Sequence, residues 1–127
     1  MAQPKIVVHD PFEDYRAEAA ANPSSAQAQA NLGWGYYAKG RYDEAVAQFN
    51  KALELDRDNF DAVYGLGLAL KKVGKKAEAL TALERALTLA PTAENKSRTD
   101  MLERMIDSHM NWLKSGQWYS GKTIIHK

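Results

Sequence analysis

Shifted by 34 residues, the chain falls on itself: residues 26–59 overlie residues 60–93, and nine of the 34 positions are identical. Leu32-Gly33 meets Leu66-Gly67, Gly40 meets Gly74, Glu44-Ala45 meets Glu78-Ala79, and Ala52, Leu53 and Leu55 meet Ala86, Leu87 and Leu89. Character is kept elsewhere too, with Tyr36 on Leu70 and Phe49 on Leu83. A period of this length restricts the chain to arrays in which each unit is one small supersecondary element that buries its apolar face against the next. Two full units occupy 68 of the 127 residues, so the flanks must help to complete the core.

Each unit reads as two helices. Over 26–39, Leu32, Tyr36 and Tyr37 follow the 3.6-residue spacing of a helix face. Gly40 then supplies the left-handed conformation that ends a helix without a Cβ clash. Asp43 and Glu44 suit the positive end of the next helix dipole, and that helix carries Ala45, Phe49, Ala52, Leu53 and Leu55. Arg57-Asp58-Asn59 makes the first inter-unit turn and Ala90-Pro91-Thr92 the second, where proline stops the helix. Ser24 with Gln27 has the spacing of a capping box ahead of the first unit.

This pattern resembles the tetratricopeptide repeat, a 34-residue helix–turn–helix. The matching residues are Leu32-Gly33, Tyr36, Ala45, Phe49 and Ala52, then Leu66-Gly67, Leu70, Ala79, Leu83, Ala86 and Pro91. The small residues let helices approach, and the large ones fill the space between. The family's early Trp is Gln29 in one unit and Val63 in the other, and the first unit has Arg57 where the family has Pro. The resemblance implies an all-α fold, a short right-handed superhelix. Residues 1–11 form an extended arm and 12–25 a degenerate upstream half-repeat. The repeats are 26–59 and 60–93, a capping helix spans 94–114, and an extended tail covers 115–127. The capping helix is read from the stripe Met101, Leu102, Met105, Ile106, Met110 and Leu113.

Composition narrows function. Seventeen basic against 16 acidic side chains give a net charge of +1, whereas nucleic-acid binders are usually far more basic; no nucleic-acid partner is expected. Cysteine is absent, which removes disulfides, thiolate catalysis and cysteine metal sites. His9, His109 and His126 have no second ligand at helical spacing, so no metal is expected. There is no phosphate-binding glycine loop and no nucleophile–base pattern. A non-catalytic protein without cofactor is expected. No stretch reaches the ~18 apolar residues of a membrane span, and the start of the chain lacks the apolar core of a signal peptide; a cytoplasmic location is expected.

In the family that this chain resembles, the first helix of each repeat lines a concave groove. That assigns Gln27, Ala30, Trp34 and Tyr37 from the first repeat, Asp61, Tyr64, Leu68 and Lys71 from the second, and Asn95, Arg98 and Leu102 from the last helix. Some members clamp a terminal carboxylate with Lys and Asn; Ala30, Trp34 and Gly65 stand in those slots, against that mode. Trp34, Tyr37, Tyr64 and Leu68 make an aromatic groove for a peptide or helix, since aromatic residues are enriched at binding hot spots. Truncating Trp34 is expected to leave the fold intact. The other reading of these residues is packing against the chain's own flanking segment. Lys71, Lys72, Lys75 and Lys76 either offset a helix C-terminus or form a patch for an acidic ligand. The ends match each other: Lys5-Ile6-Val7-Val8-His9 and Lys122-Thr-Ile124-Ile125-His126 are β-branched runs suited to strands, the second preceded by Trp118-Tyr119. These seven apolar tail residues are docking candidates. A protein-interaction module is the reading; the alternatives are a homo-oligomer joined by groove and tails, or an accessory subunit of an enzyme complex.

Overall fold

The computed structural model describes residues 10–90 and 96–116, the latter from 96 to 99 as backbone alone. Among these residues there are six α-helices and no strand: α1 (Pro11–Ala21), α2 (Ala26–Ala38), α3 (Tyr42–Leu55), α4 (Phe60–Lys72), α5 (Lys76–Leu89) and α6 (Lys96–Ser115). Each helix packs on the one before it, and α2 also meets α4. The turns follow from their residues. Gly40 and Gly74, at φ +75° and +87°, sit 34 residues apart and close α2 and α4 in the left-handed region, where a Cβ is costly. Asn59 Oδ1 accepts from the Ala62 amide at 2.9 Å and caps α4. The cap of α2 is Ser25 rather than Ser24: its Oγ accepts from the Ala28 amide at 3.1 Å. The capping-box spacing was off by one residue because Gln27 turns outward to side-chain partners. Asp10 caps α1 by accepting from the Phe12 amide at 3.0 Å, so Pro11 belongs to the helix and not to the arm, at the first-turn position where proline fits.

The core is built by large side chains entering glycine notches. Phe49 on α3 is fully buried. A Cβ on Gly33 of α2 would lie 2.7 Å from Phe49 Cδ1, and one on Gly65 of α4 would collide with the Cζ tip of the same ring. Phe49 is thus wedged between its own repeat and the next. Leu83 repeats the arrangement on Gly67, at 2.8 Å. Ala45, Ala52, Ala79 and Ala86 are fully buried where helices cross.

α6 departs from the 34-residue rhythm. Gly67 and Leu70 are buried, yet the residues 34 further on, Met101 and Arg104, are exposed, Met101 by 58%. Instead Ile106, Met110 and Leu113 bury against the side chains of α4 and α5. The helix is amphipathic as its stripe predicts, but Met101 and Met105 of that stripe stay exposed. Pro91 to Asn95, the segment before α6, lie outside the described residues.

Candidate functional site

Helices α2, α4 and α6 share one face, and rings connect along it. Tyr37 meets Trp34 edge-on at 5.7 Å, with Tyr42 of α3 5.3 Å from Tyr37. Trp34 lies 6.1 Å from Tyr64 across the repeat boundary. Tyr64 stacks on Phe60 at 5.7 Å and meets His109 of α6 at 6.4 Å. Trp34, Tyr37 and Tyr64 are each partly buried, so every ring keeps an edge in solvent. They reach one face because Trp34 and Tyr37 are three apart on α2, a neighbouring pair on a helix surface. Burial, and then the neighbouring tyrosine, raises the pKa of both Tyr37 and Tyr64; both hydroxyls stay protonated donors at neutral pH.

At the α6 end, Lys71 Nζ lies 3.0 Å from His109 Nδ1 and 4.5 Å above the Trp112 ring. Burial first, then the charges of Lys71 and Lys72, push the His109 pKa down to about 4. Near neutral pH His109 is therefore uncharged, and its Nδ1 accepts from the lysine ammonium. Burial and Lys72 also lower the pKa of Lys71. The lysine run does not act as one patch: Lys71 is engaged here, Lys72 lies over Tyr42 at 5.8 Å, and Lys75 precedes α5. The other end of the face carries a polar rim. Gln27 Nε2 donates to Asn31 and Asp61 at 3.0 Å each, and Gln27 Oε1 accepts from Asn59 Nδ2 at 3.2 Å.

Of the residues assigned to the groove, Trp34, Tyr37, Tyr64 and Lys71 come together, with Gln27 and Asp61 on the rim. Ala30 and Leu68 do not join them. They are 0% and 8% exposed and belong to the core, because the repeat packs these positions under the rings. Leu102 is partly buried against the core. Asn95 and the Arg98 side chain lie outside the described residues, as do Ile6, Val7, Val8, Trp118, Tyr119, Ile124 and Ile125. Sequence reasoning left out Trp112 and Phe60. Trp112 is three residues after His109, and that spacing on one helix was the available signal. Trp34 does more than expected: its ring meets Phe49 edge-on at 5.3 Å and touches both main core clusters. Removing it therefore opens the core as well as the surface, so the fold does not survive its truncation unaffected. Among the described residues no cluster of side chains could hold a metal ion, and no helix is long and apolar enough to cross a membrane.

Residues 35–74 match the model of the TPR repeat, and residues 60–93 match that of the tetratricopeptide repeat. The chain carries tetratricopeptide repeats. Similar curated proteins are Superkiller protein 3 of Saccharomyces cerevisiae, 29% identical over 86 residues, and Tetratricopeptide repeat protein 13 of Homo sapiens, 34% identical over 84 residues. These alignments cover 68% and 62% of the chain but only 6% and 10% of the relatives' own length. Among solved structures, the Yersinia enterocolitica type III secretion translocator chaperone SycD superposes with a TM-score of 0.71 at 22% identity, over 83% of this chain and 70% of that one. SycD in complex with a peptide of the translocator YopD gives 0.70, again at 22% identity, over 83% and 78%. MamA gives 0.67 at 22% identity, over 83% and 56%. The fold is an all-α tetratricopeptide-repeat superhelix, and its repeats make it a protein-interaction module.

Proposed function

We propose that the chain is a non-catalytic adaptor or assembly subunit of the cytoplasm that holds a peptide or short helix of another protein along the ring face of α2, α4 and α6. The observation that carries this is the unbroken run Tyr37–Trp34–Tyr64–His109 across two repeats and the last helix. Its rings are already fixed by their neighbours. Rigid aromatic side chains give contact area at low ordering cost, which is why they concentrate in hot spots. Lys71 and the Gln27–Asp61 pair flank the run and would set the orientation of a bound segment. The SycD complex supports the reading, since that structural neighbour holds a peptide of another protein.

Peptides selected from a displayed library against the full chain, then titrated by calorimetry, test this. Tyr64→Ala should weaken them by about 30-fold or more, as for a hot spot worth ~2 kcal/mol. Equal affinities for the parent and Tyr64→Ala would move the site off this face. A second reading, self-association through α6, is favoured by Met101 and Met105, which are 58% and 46% exposed on that helix. Light scattering that shows one mass at all concentrations would dismiss it.

A further inference from the structure

A groove of about 290 Å³ opens between α1 and α2, away from the Tyr64–Lys71 end of the ring face. Its walls are Pro11, Phe12 and Tyr15 of α1 and the outer edge of Trp34 with Gly35 and Ala38 of α2. Gly35 makes the cleft narrow: a Cβ there would lie 3.0 Å from Phe12 and 3.1 Å from Tyr15. Asp10 and Lys39 border it and pair at 2.8 Å. The lining is otherwise apolar, and the chain leaves it at Asp10 towards residues 1–9. We propose that this groove is the seat of the chain's own Ile6-Val7-Val8, laid across it in extended form.

Two observations favour this occupant over an upstream helix. By the 34-residue shift, Ile6 stands where Gly40 and Gly74 stand. Those glycines take φ +75° and +87°, a conformation that a β-branched residue adopts only as an outlier. Pro4 stands where Ala38 and Lys72 stand, in the last turn of a helix, and proline breaks a helix there. The repeat's helix–glycine–helix entry is therefore closed to this segment. An extended run places Ile6 and Val8 on one side and Val7 on the other, so two aliphatic side chains enter while Val7 stays outside. Asp10 already lines the groove, and an extended chain advances roughly 3.3 Å per residue, so Val8 and Ile6 lie within about 7 and 13 Å of it.

The absence of cysteine makes the test direct. Val7→Cys carries a single nitroxide, and amide spectra of the full chain are recorded with the label oxidised and reduced. The amides of Tyr15, Gly35 and Ala38 should lose most of their height, and that of Ala77 on α5 should lose none. In a chain that also carries Ile6→Asp and Val8→Asp, the loss at Gly35 and Ala38 should fall severalfold, to what a three-residue tether to Asp10 alone produces. Loss that is undiminished there would mean that tethering alone keeps the segment near, and the proposal fails. It fails equally if no amide of α2 responds. Broadening that appears only when labelled chains are mixed with isotope-enriched, unlabelled ones would assign the groove to a second copy instead.

Discussion

The Phe49 wedge makes a quantitative claim. In Gly33→Ala the new methyl would sit 2.7 Å from two carbons of the Phe49 ring, about 1 Å inside the 3.5–4.0 Å optimum for carbon pairs. Ordinarily a ring could slide away, but Phe49 is fully buried and its Cε1–Cζ tip also lies against Gly65 of the next repeat, which leaves it little room. Overpacking of this kind costs ~1–3 kcal/mol, and the blocked ring puts it at the upper end. Alanine returns about 1 kcal/mol of helix propensity, which leaves a net loss of roughly 2 kcal/mol. For a chain of this size that lowers the melting temperature by about 6–10 °C. Phe49→Leu shortens the wedge at a cost of roughly 1–2 kcal/mol, well under the 3–5 kcal/mol of full truncation to alanine. The double variant, free of the clash but keeping the helix propensity of alanine, should be about 1 kcal/mol more stable than Phe49→Leu alone, a coupling of about 3 kcal/mol. Denaturant titrations of all four proteins measure it. If the two effects add within ~0.5 kcal/mol, as independent sites do, then Phe49 is not the group that Gly33 accommodates.

Ala45→Leu, at a fully buried helix crossing, should cost ~1–3 kcal/mol in the same titrations. Asn59→Ala removes the α4 cap and a donor to Gln27, and should cost about 1 kcal/mol, read by thermal melting. His109 has a folded pKa near 4, below the ~6.5 of an unfolded chain. The folded state thus binds fewer protons, and stability held above pH 6.5 is lost as pH falls towards 4. His109→Gln should flatten the change in melting temperature between pH 7 and 5 relative to the parent.

What was legible in the sequence was what recurs. Leu32-Gly33 on Leu66-Gly67 and Gly40 on Gly74 fix the helix pairs, because small residues and positive-φ glycines have one structural use at those places. The ring face came from positions that the family assigns, and Trp34, Tyr37 and Tyr64 do come together. The burial of Ala30 and Leu68 was not legible: a position on a helix face says nothing of how closely the neighbouring helix approaches. Nor was the roll of α6. Met101, Met105, Ile106 and Met110 form one broad apolar stripe, and which edge of a broad stripe turns inward depends on the surface that it meets. The Lys71–His109–Trp112 contact follows from that roll, so it too was hidden.

The roll of α6 sets a limit to growth of the array. Continuing a stack means bringing another helix close, and closeness needs small residues at the contact. On the α1 side Gly35 is such a residue, but Phe12 and Tyr15 of α1 already fill its notch. On the α6 side the positions that would continue the pattern of Gly67 and Leu70 are Met101 and Arg104, long side chains that hold a neighbour at a distance. Further 34-residue units grafted beyond α6 should therefore remain beads on a string.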